Sequence, residues 1–415
     1  IDRRPALIAR CAGTADVMAA VNFAREHRLL LSVKGGGHNI TGNAVCEAGL
    51  MLDLSAMKSV RVDPTARTAR AEAGLTWGEY NAETQAFGLA STGGVVSTTG
   101  IAGLTLGGGL GWLMGKHGLS CDNLLSADLI TADGQFLTAD AERNPELFWG
   151  LRGGGGNFGV VTSFEYRLHP VGPVLAGMVV HPMTEAKKVL QFYRDFASGC
   201  PDEMLAAAAL MTSHDGMPVA VIIAAYLGDL TVGERLMAPL RKFGNPLADT
   251  IAATSYVELN KLFDAAVPYG GVQRYWKSSF LDKLGDELLD IMVARAAKLL
   301  SPMSMVLFFH MHGAAARVDK NATAFGLRQD QWDYDVISQW HDRAETDSHV
   351  QWTRDYWTAV EPFATGEVYV NHLDAEEATR IRAAYSGNYG RLVALKNKYD
   401  PTNLFRMNQN IRPTV

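Results

Sequence analysis

A histidine that follows three consecutive glycines, Lys34-Gly35-Gly36-Gly37-His38, is the residue of this chain most clearly set up for chemistry. A lone histidine in a turn is ordinarily satisfied by backbone, but three glycines let the main chain press against a ligand and turn its N–H groups outward as an anion-binding nest. His310 and His312 form a second pair. Alternation along a strand puts both on one face, where two imidazoles could meet a metal, yet no third ligand is visible; pocket lining or core is the better reading, and no metal is expected. Tyr275, Trp276 and Lys277 form a dense aromatic and cationic group. Trp352, Arg354 and Trp357 recur at helical spacing, as packing residues or substrate contacts do.

Glycine continues beyond this loop. Ten glycines lie between Gly93 and Gly118, and Gly153-Gly154-Gly155-Gly156-Asn157-Phe158-Gly159 follows. Such density weakens regular structure and suits a cradle for a large phosphate-bearing cofactor. Two familiar cradles are excluded locally. Gly154, Gly156 and Gly159 match the dinucleotide fingerprint, but Val160-Val161-Thr162-Ser163-Phe164-Glu165-Tyr166 alternates like a strand where that motif must open a helix. Gly115-Lys116 imitates the end of a P-loop, but Leu110 replaces its first glycine and His117 stands where Ser or Thr should bind magnesium.

The blocks that remain resemble the flavin-linked oxidases of the vanillyl-alcohol-oxidase type, in the berberine-bridge-enzyme-like branch. They are the apolar strand Leu29 to Val33 running into Lys34-Gly35-Gly36-Gly37-His38, Gly-Gly-Val-Val-Ser-Thr-Thr-Gly from Gly93, Leu-Gly-Gly-Gly-Leu-Gly-Trp from Leu106, Lys116-His117-Gly118-Leu119 with Asp122-Asn123, and Asn157-Phe158-Gly159-Val160-Val161. At the far end stand Tyr399-Asp400-Pro401-Thr402-Asn403-Leu404-Phe405 and Asn408-Gln409-Asn410-Ile411. They keep the family's order and cover nearly the whole chain.

The resemblance implies FAD as cofactor, held by a single covalent link from His38 to the flavin 8α-carbon. From the first block it assigns Lys34, Gly35, Gly36, Gly37, Asn39 and Gly42 to the cofactor, and from the second Gly94, Thr98, Thr99, Gly100, Gly103 and Leu104. Gly107, Gly108, Gly109 and Gly111 follow, then Gly118, Leu119 and Asn123, Gly159, Val160 and Val161, and finally Asn408 and Asn410. Relatives with a second link use a cysteine in a slot that Val96 fills here, so Cys121 reads as an unlinked buried thiol. Thr99 occupies the position that influences oxygen access to flavin C4a. Where relatives often have Tyr-x-Asn-Tyr, with the second tyrosine as base, this chain has Tyr369-Val370-Asn371-His372. His372 is either the base, with a lower pH optimum than a tyrosinate would give, or a pocket-lining residue; Tyr369 is the next candidate.

Helices and strands must place these residues. Helical spacing marks Ala15 to Arg25 and Trp77 to Phe87; short strands are expected at Met51 to Leu54, Val60 to Val62, Leu124 to Thr131 and Val160 to Leu168. After His169-Pro170-Val171-Gly172-Pro173 glycine thins out. Helical patterns then appear at Glu185 to Phe196, Leu230 to Phe243 and Lys283 to Leu300, with strand patterns at Pro218 to Leu227, Gln273 to Leu281 and Met303 to Gly313. The expected fold is α+β: a two-domain PCMH-type FAD-binding fold with a discontinuous FAD domain (1–172 and 367–415) and a substrate domain (173–366) whose antiparallel sheet is covered by helices. Substrate should lie between flavin and that sheet, with Tyr275, Trp276, His310, His312 and Trp352 as contacts.

With 415 residues, 47% of them apolar, the chain can bury a large core. A net charge of −6 and a pI near 6.0 give no general attraction to nucleic acid or anionic membrane, and no apolar run reaches spanning length. The four cysteines are scattered without metal or redox spacing. A cytoplasmic location is expected, although the start at Ile1-Asp2-Arg3-Arg4-Pro5 leaves room for a missing segment with a targeting signal. The expected activity is hydride removal from a C–H bond next to oxygen or nitrogen of a small or medium organic molecule, a natural product, sugar or amine. Dioxygen then takes the electrons as hydrogen peroxide. The alternatives are a flavin-containing sequestration protein without turnover and a dehydrogenase with another acceptor.

Overall fold

The computed structural model describes residues 2–374 and 379–415. The chain opens with a parallel sheet in which Leu50–Asp53 lies between Leu7–Arg10 and Leu31–Lys34. Parallel strands are covered on both faces, which is why Leu50, Met51 and Leu52 are all buried. The helix Thr14–Glu26 connects the outer two and buries Val17, Ala20, Val21 and Ala24, one helical face. Its partner strand Leu31–Lys34 runs directly into the Gly35–Gly37 turn.

A five-stranded antiparallel sheet follows, ordered Val60–Asp63, Thr68–Glu72, Val160–Arg167, Leu124–Ile130, Phe136–Asp140. Because Val160–Arg167 is a strand, no helix opens after Gly159. After the strand Thr68–Glu72, Thr76 caps the helix Trp77–Gln85 and Glu79 returns the bond to the Thr76 N–H, a capping box that fixes where the helix starts.

The third sheet is built wholly from residues beyond Pro173. Its strands run in the order Ala248–Asp249, Val174–Pro182, Pro218–Tyr226, Met204–Thr212, Met305–Met311, Gln331–Trp340, Gln273–Leu281, every ladder antiparallel, with Ala252–Thr254 also pairing Val174–Pro182. Alternation splits it. Leu175, Ala208, Ile222, Phe308, Tyr334 and Val336 point to one face, under the helices Ala186–Ser198, Leu230–Lys242, Asp286–Ala296 and Thr346–Val360; Ala207, Val221, Ile223, Leu307 and Phe309 join the core of the glycine-rich region on the other. The expected mixture of helices with a helix-covered antiparallel sheet is thus present. Five strands of this sheet escape the sequence reading, the short Ala248–Asp249 and Ala252–Thr254 and three long ones. Met204–Thr212 is alanine-rich and lacks the β-branched residues that signal a strand, Val174–Pro182 begins at the Pro-Gly junction, and Gln331–Trp340 carries two aspartates.

Two buried ion pairs tie distant segments to the glycine-rich region. Arg328 contacts Asp122 through both carboxylate oxygens at 2.7 and 2.8 Å and also reaches the Ala315 and Phe325 carbonyls, so the 315–328 loop is fastened to the turn after Gly118. Lys396 donates to Asp400, to Asn157 O and to Phe405 O, which draws the 400–411 tail across the Gly153–Gly159 loop. Among the described residues no helix is long and apolar enough to cross a membrane.

Candidate active site

One cavity of about 330 Å³ runs between the glycine-rich region and the inner face of the third sheet. Its first wall is mostly main chain: Gly35, Gly36, Gly37, His38 and Asn39 from the first loop, Gly94, Thr99, Gly100, Gly103 and Leu104 from the second, and Gly111, Gly159, Val160, Val161 and Asn408. Its second wall is side chain: Trp276, Leu307, Phe309, Asp333, Asp335 and Ile337 from three neighbouring strands, with Phe263 and Val267 beside them. Tyr369, Asn371 and His372 close the end.

The first wall exists because two backbones touch. A Cβ placed on Gly36 would fall within the contact shell of Gly100 N and Cα, and one on Gly100 would strike Gly36 in return. Gly37 turns at φ 74°, a conformation that glycine adopts at little cost. The crossing sets His38 against Thr98, with Nε2 2.8 Å from the hydroxyl. Burial, and then the charge of Arg274, push the His38 imidazole down to about 4 against a smaller opposing pull from Asp264, so it is neutral at neutral pH. Lys34 pairs with Asp53 at 3.5 Å rather than facing the cavity.

Several other residues expected at the cofactor work one step behind the wall. A Cβ on Gly107 would strike Asn371, one on Gly108 the Phe325 ring and one on Gly109 the Ser120 side chain, so these glycines permit close packing. Asn123 is buried and donates to His117 O and Leu119 O, which fixes the turn through Gly118 and Leu119. Gly42, Thr98 and Asn410 also lie outside the lining. Cys121 is fully buried beside Arg328, while Val96 lines the cavity.

The second wall holds the charged groups. His372 Nδ1 stands 3.0 Å from Asp335 Oδ1 and 3.3 Å from Asp333 Oδ2, an ion-pair geometry with neither oxygen squarely along the N–H. Asp333 and Asp335 are 0% and 1% exposed. Asp335 Oδ1 also accepts the Trp276 indole N–H at 2.7 Å, and Asp333 Oδ1 accepts the Ser278 hydroxyl at 3.2 Å. Burial by itself would push the His372 imidazole down; the charges of Asp335 and Asp333 outweigh it and hold its pKa up at about 10. Asp333 is raised to about 6, by burial and then by Asp335, with His372 pulling the other way. Asp333, Asp335 and His372 are also the group, among the described residues, whose donor atoms converge as metal ligands would, all within 4.8 Å. A metal here would have to displace the proton that the two carboxylates hold on the imidazole; without one, the three groups form an ion triad.

An imidazolium has no lone pair with which to take a proton, and His372 lines the cavity, which favours the pocket-lining alternative over the base. Tyr369 is buried, its hydroxyl accepting from Gly109 N at 2.9 Å and from Asn371 Nδ2 at 2.8 Å, and burial pushes its pKa upward. Of the five expected substrate contacts, Trp276 alone lines the cavity. Tyr275 sits on the opposite face of the same strand and accepts from Arg354 of the covering helix. Trp352 packs on Tyr356 under that helix layer. His310 bonds Asp330 and stacks on Trp332, away from the cavity, and His312 bonds Met204 O. Spacing reveals which residues share a face but not which face is wet.

The wall suits FAD. Glycine backbone lines most of one side, the space that a Cβ would fill is left open, and Asn408 Oδ1 and Gln409 Nε2 are buried at the rim without a hydrogen-bond partner. Residues 5–140 match the family described as FAD binding domain, and residues 368–412 the family described as Berberine and berberine like. An FAD-linked oxidoreductase of Dictyostelium discoideum is 33% identical over 99% of this chain and 89% of its own. (R)-6-hydroxynicotine oxidase of Paenarthrobacter nicotinovorans is 30% identical over 99% of this chain and 92% of its own. The crystal structure of 6-hydroxy-D-nicotine oxidase from Arthrobacter nicotinovorans superposes with a TM-score of 0.89 at 30% identity, covering 99% of this chain and 93% of that one, and so establishes the fold.

The ion triad is testable by titration. His372 should remain charged through neutral pH and lose its proton near 10, read by nitrogen-15 NMR of the histidine rings, and Asp335→Asn should lower that value. A folded pKa above the unfolded one contributes stability that is fully present below about 6.5 and is lost as pH rises through about 10. A ring titrating near 6.5 would mean that the carboxylates do not engage it.

Proposed function

This chain belongs to the berberine-bridge-like family of FAD-linked oxidoreductases, and we propose that it is an oxidase whose FAD is bonded to His38 and whose substrate enters against Trp276, Asp333 and Asp335. The observation that carries this reading is the joining, in one cavity, of a glycine backbone cradle and a buried carboxylate pair. Bound FAD would supply hydride acceptance and pass two electrons to dioxygen, giving hydrogen peroxide.

The protein's own groups do the rest. Gly35 to Gly37 and Gly100 offer main chain to the cofactor at a distance no other residue type allows. A neutral His38, with Nε2 engaged by Thr98, presents Nδ1 as the nitrogen for the covalent bond. Trp276, Leu307, Phe309 and Ile337 exclude water and set the plane of the substrate. Asp333, whose pKa of about 6 leaves it ionised yet basic at neutral pH, accepts the substrate proton, and His372 stays charged beside it and steadies the pair. Thr99 and Val96 border the space through which oxygen reaches the ring.

Acid-precipitated protein should stay yellow, His38→Ala should release its flavin to the supernatant, and Cys121→Ala should change nothing. Complete release from the native protein, or a flavin peptide carrying Cys121, would defeat the His38 link. For the chemical step, Asp333→Asn should slow anaerobic flavin reduction by about 10²- to 10⁴-fold while flavin content holds. The native rate should climb with pH through about 6 as Asp333 ionises. An unchanged rate and profile would place the proton acceptor elsewhere.

A further inference from the structure

The turn that carries Thr98 is held from two sides. Thr98 does not line the cavity, but its hydroxyl stands 2.8 Å from His38 Nε2, so it reaches the site through that ring. The start of the helix Trp77–Gln85 takes the carbonyls on either side of Thr98: Gly78 N donates to Ser97 O and Trp77 N to Thr99 O, both at 2.8 Å. Asp264 takes the donors. Its Oδ1 accepts from Ser97 N at 2.9 Å and its Oδ2 from the Ser97 hydroxyl at 2.5 Å, across a separation of 167 residues. Both bonds are charge-assisted, and so stronger and more directional than neutral ones. Asp264 sits in a strap that follows the short helix Tyr256–Leu259 and is itself tethered along its length. Asn260 Nδ2 donates to Gly94 O, Gln339 Nε2 to Ala266 O at 3.0 Å and Arg274 Nη2 to Pro268 O at 3.1 Å, while the Tyr269 ring lies 5.5 Å from that of His38. Fastening one wall to the other would account for the Asn260 bond. The Asp264 bonds differ, because they fall on the residue next to the His38 partner.

We propose that Asp264 is the positioning residue for flavin attachment: by holding Ser97 it fixes the Thr98 hydroxyl as acceptor for the His38 Nε2–H, which leaves the Nδ1 lone pair free for the flavin 8α-carbon. This deepens the reading of His38 as the attachment residue and rests on it. In the attachment, Nδ1 gives its lone pair to the 8α-carbon as one C–H bond of that methyl group breaks. The electron pair of that bond stays on the ring system, Nε2 releases its proton, and dioxygen takes the two electrons and two protons as hydrogen peroxide, so atoms and charge balance. Neutral His38 has the lone pair this requires; burial and then Arg274 keep it neutral, and the charge of Asp264 opposes them only in part. Orientation is what remains to be supplied, and a misplacement of about 1 Å costs about a hundredfold in rate.

The test compares native holoprotein with Asp264→Ala and Asp264→Asn, sampled through expression with FAD in excess. Total flavin is read from the absorbance of the native fold and linked flavin from the absorbance left on the acid-precipitated chain. Asp264→Ala should keep total flavin near the native level while its linked fraction grows about 10- to 100-fold more slowly. Asp264→Asn should link at close to the native rate, because an amide oxygen still accepts from Ser97 N. Native-rate linking in Asp264→Ala would overturn the role of Asp264. So would a parallel loss of total and linked flavin, which would make Asp264 a fastening of the wall, and so would an Asp264→Asn as slow as Asp264→Ala, which would make its charge the active property. A native protein whose flavin is released wholly by acid would sink the His38 link itself, an outcome that no result with the variants can imitate.

Discussion

The crossing of two backbones at Gly36 and Gly100 is the contact on which the rest of the site depends. Neither position has room for a single carbon beyond Cα. The crossing brings the end of the strand Leu31–Lys34 onto the segment after Trp77–Gln85, and so brings His38 to Thr98 across a separation of 60 residues. It also makes that wall chiefly of glycine backbone. A wall of this kind has little hydrophobic area of its own and relies on what stands behind it: the Arg328–Asp122 pair, the Lys396–Asp400 pair and the packing of Asn371 on Gly107.

The opposite wall solves a different problem. Three neighbouring strands deliver Trp276, Phe309, Asp333 and Asp335 to one face while Tyr275, Phe308, Tyr334 and Val336 bind the covering helices on the other. Two carboxylates so close would repel if both were charged and alone, and the return of the chain at Tyr369–His372 places an imidazolium between them. The same return supplies Tyr369, whose hydroxyl is fixed by Gly109 N. Residues 369–372 therefore touch both walls, and the cavity is finished only when this late segment docks.

Much of the first wall was legible in the residue order, because glycine runs, a histidine behind them and the asparagine-rich tail each have a local physical meaning. The second wall was not. Asp333 and Asp335 alternate with Trp332, Tyr334 and Val336 in a segment that the sequence reading passed over; the face they share borders the cavity, which the pairing of Gln331–Trp340 between two other strands shows. The signal available was two aspartates at i, i+2 inside an apolar run. Tyr275, His310 and Trp352 were misplaced for the mirror-image reason. His372 was read as base or lining residue from its place in the Tyr-x-Asn-Tyr segment, and the carboxylates that raise its pKa lie 37 and 39 residues upstream.

The seat of the cofactor depends most on the Gly36–Gly100 crossing, and the flavin-to-protein ratio of Gly36→Ala, compared with that of Gly13→Ala, tests this most directly. A Cβ at Gly13 meets nothing within 4 Å, so that variant should keep its flavin. Gly36→Ala should emerge with native-like secondary structure by circular dichroism and little or no flavin, because relieving the clash must open the wall that holds it. A Gly36→Ala protein with a full complement of flavin would show that the crossing is not the seat of the cofactor.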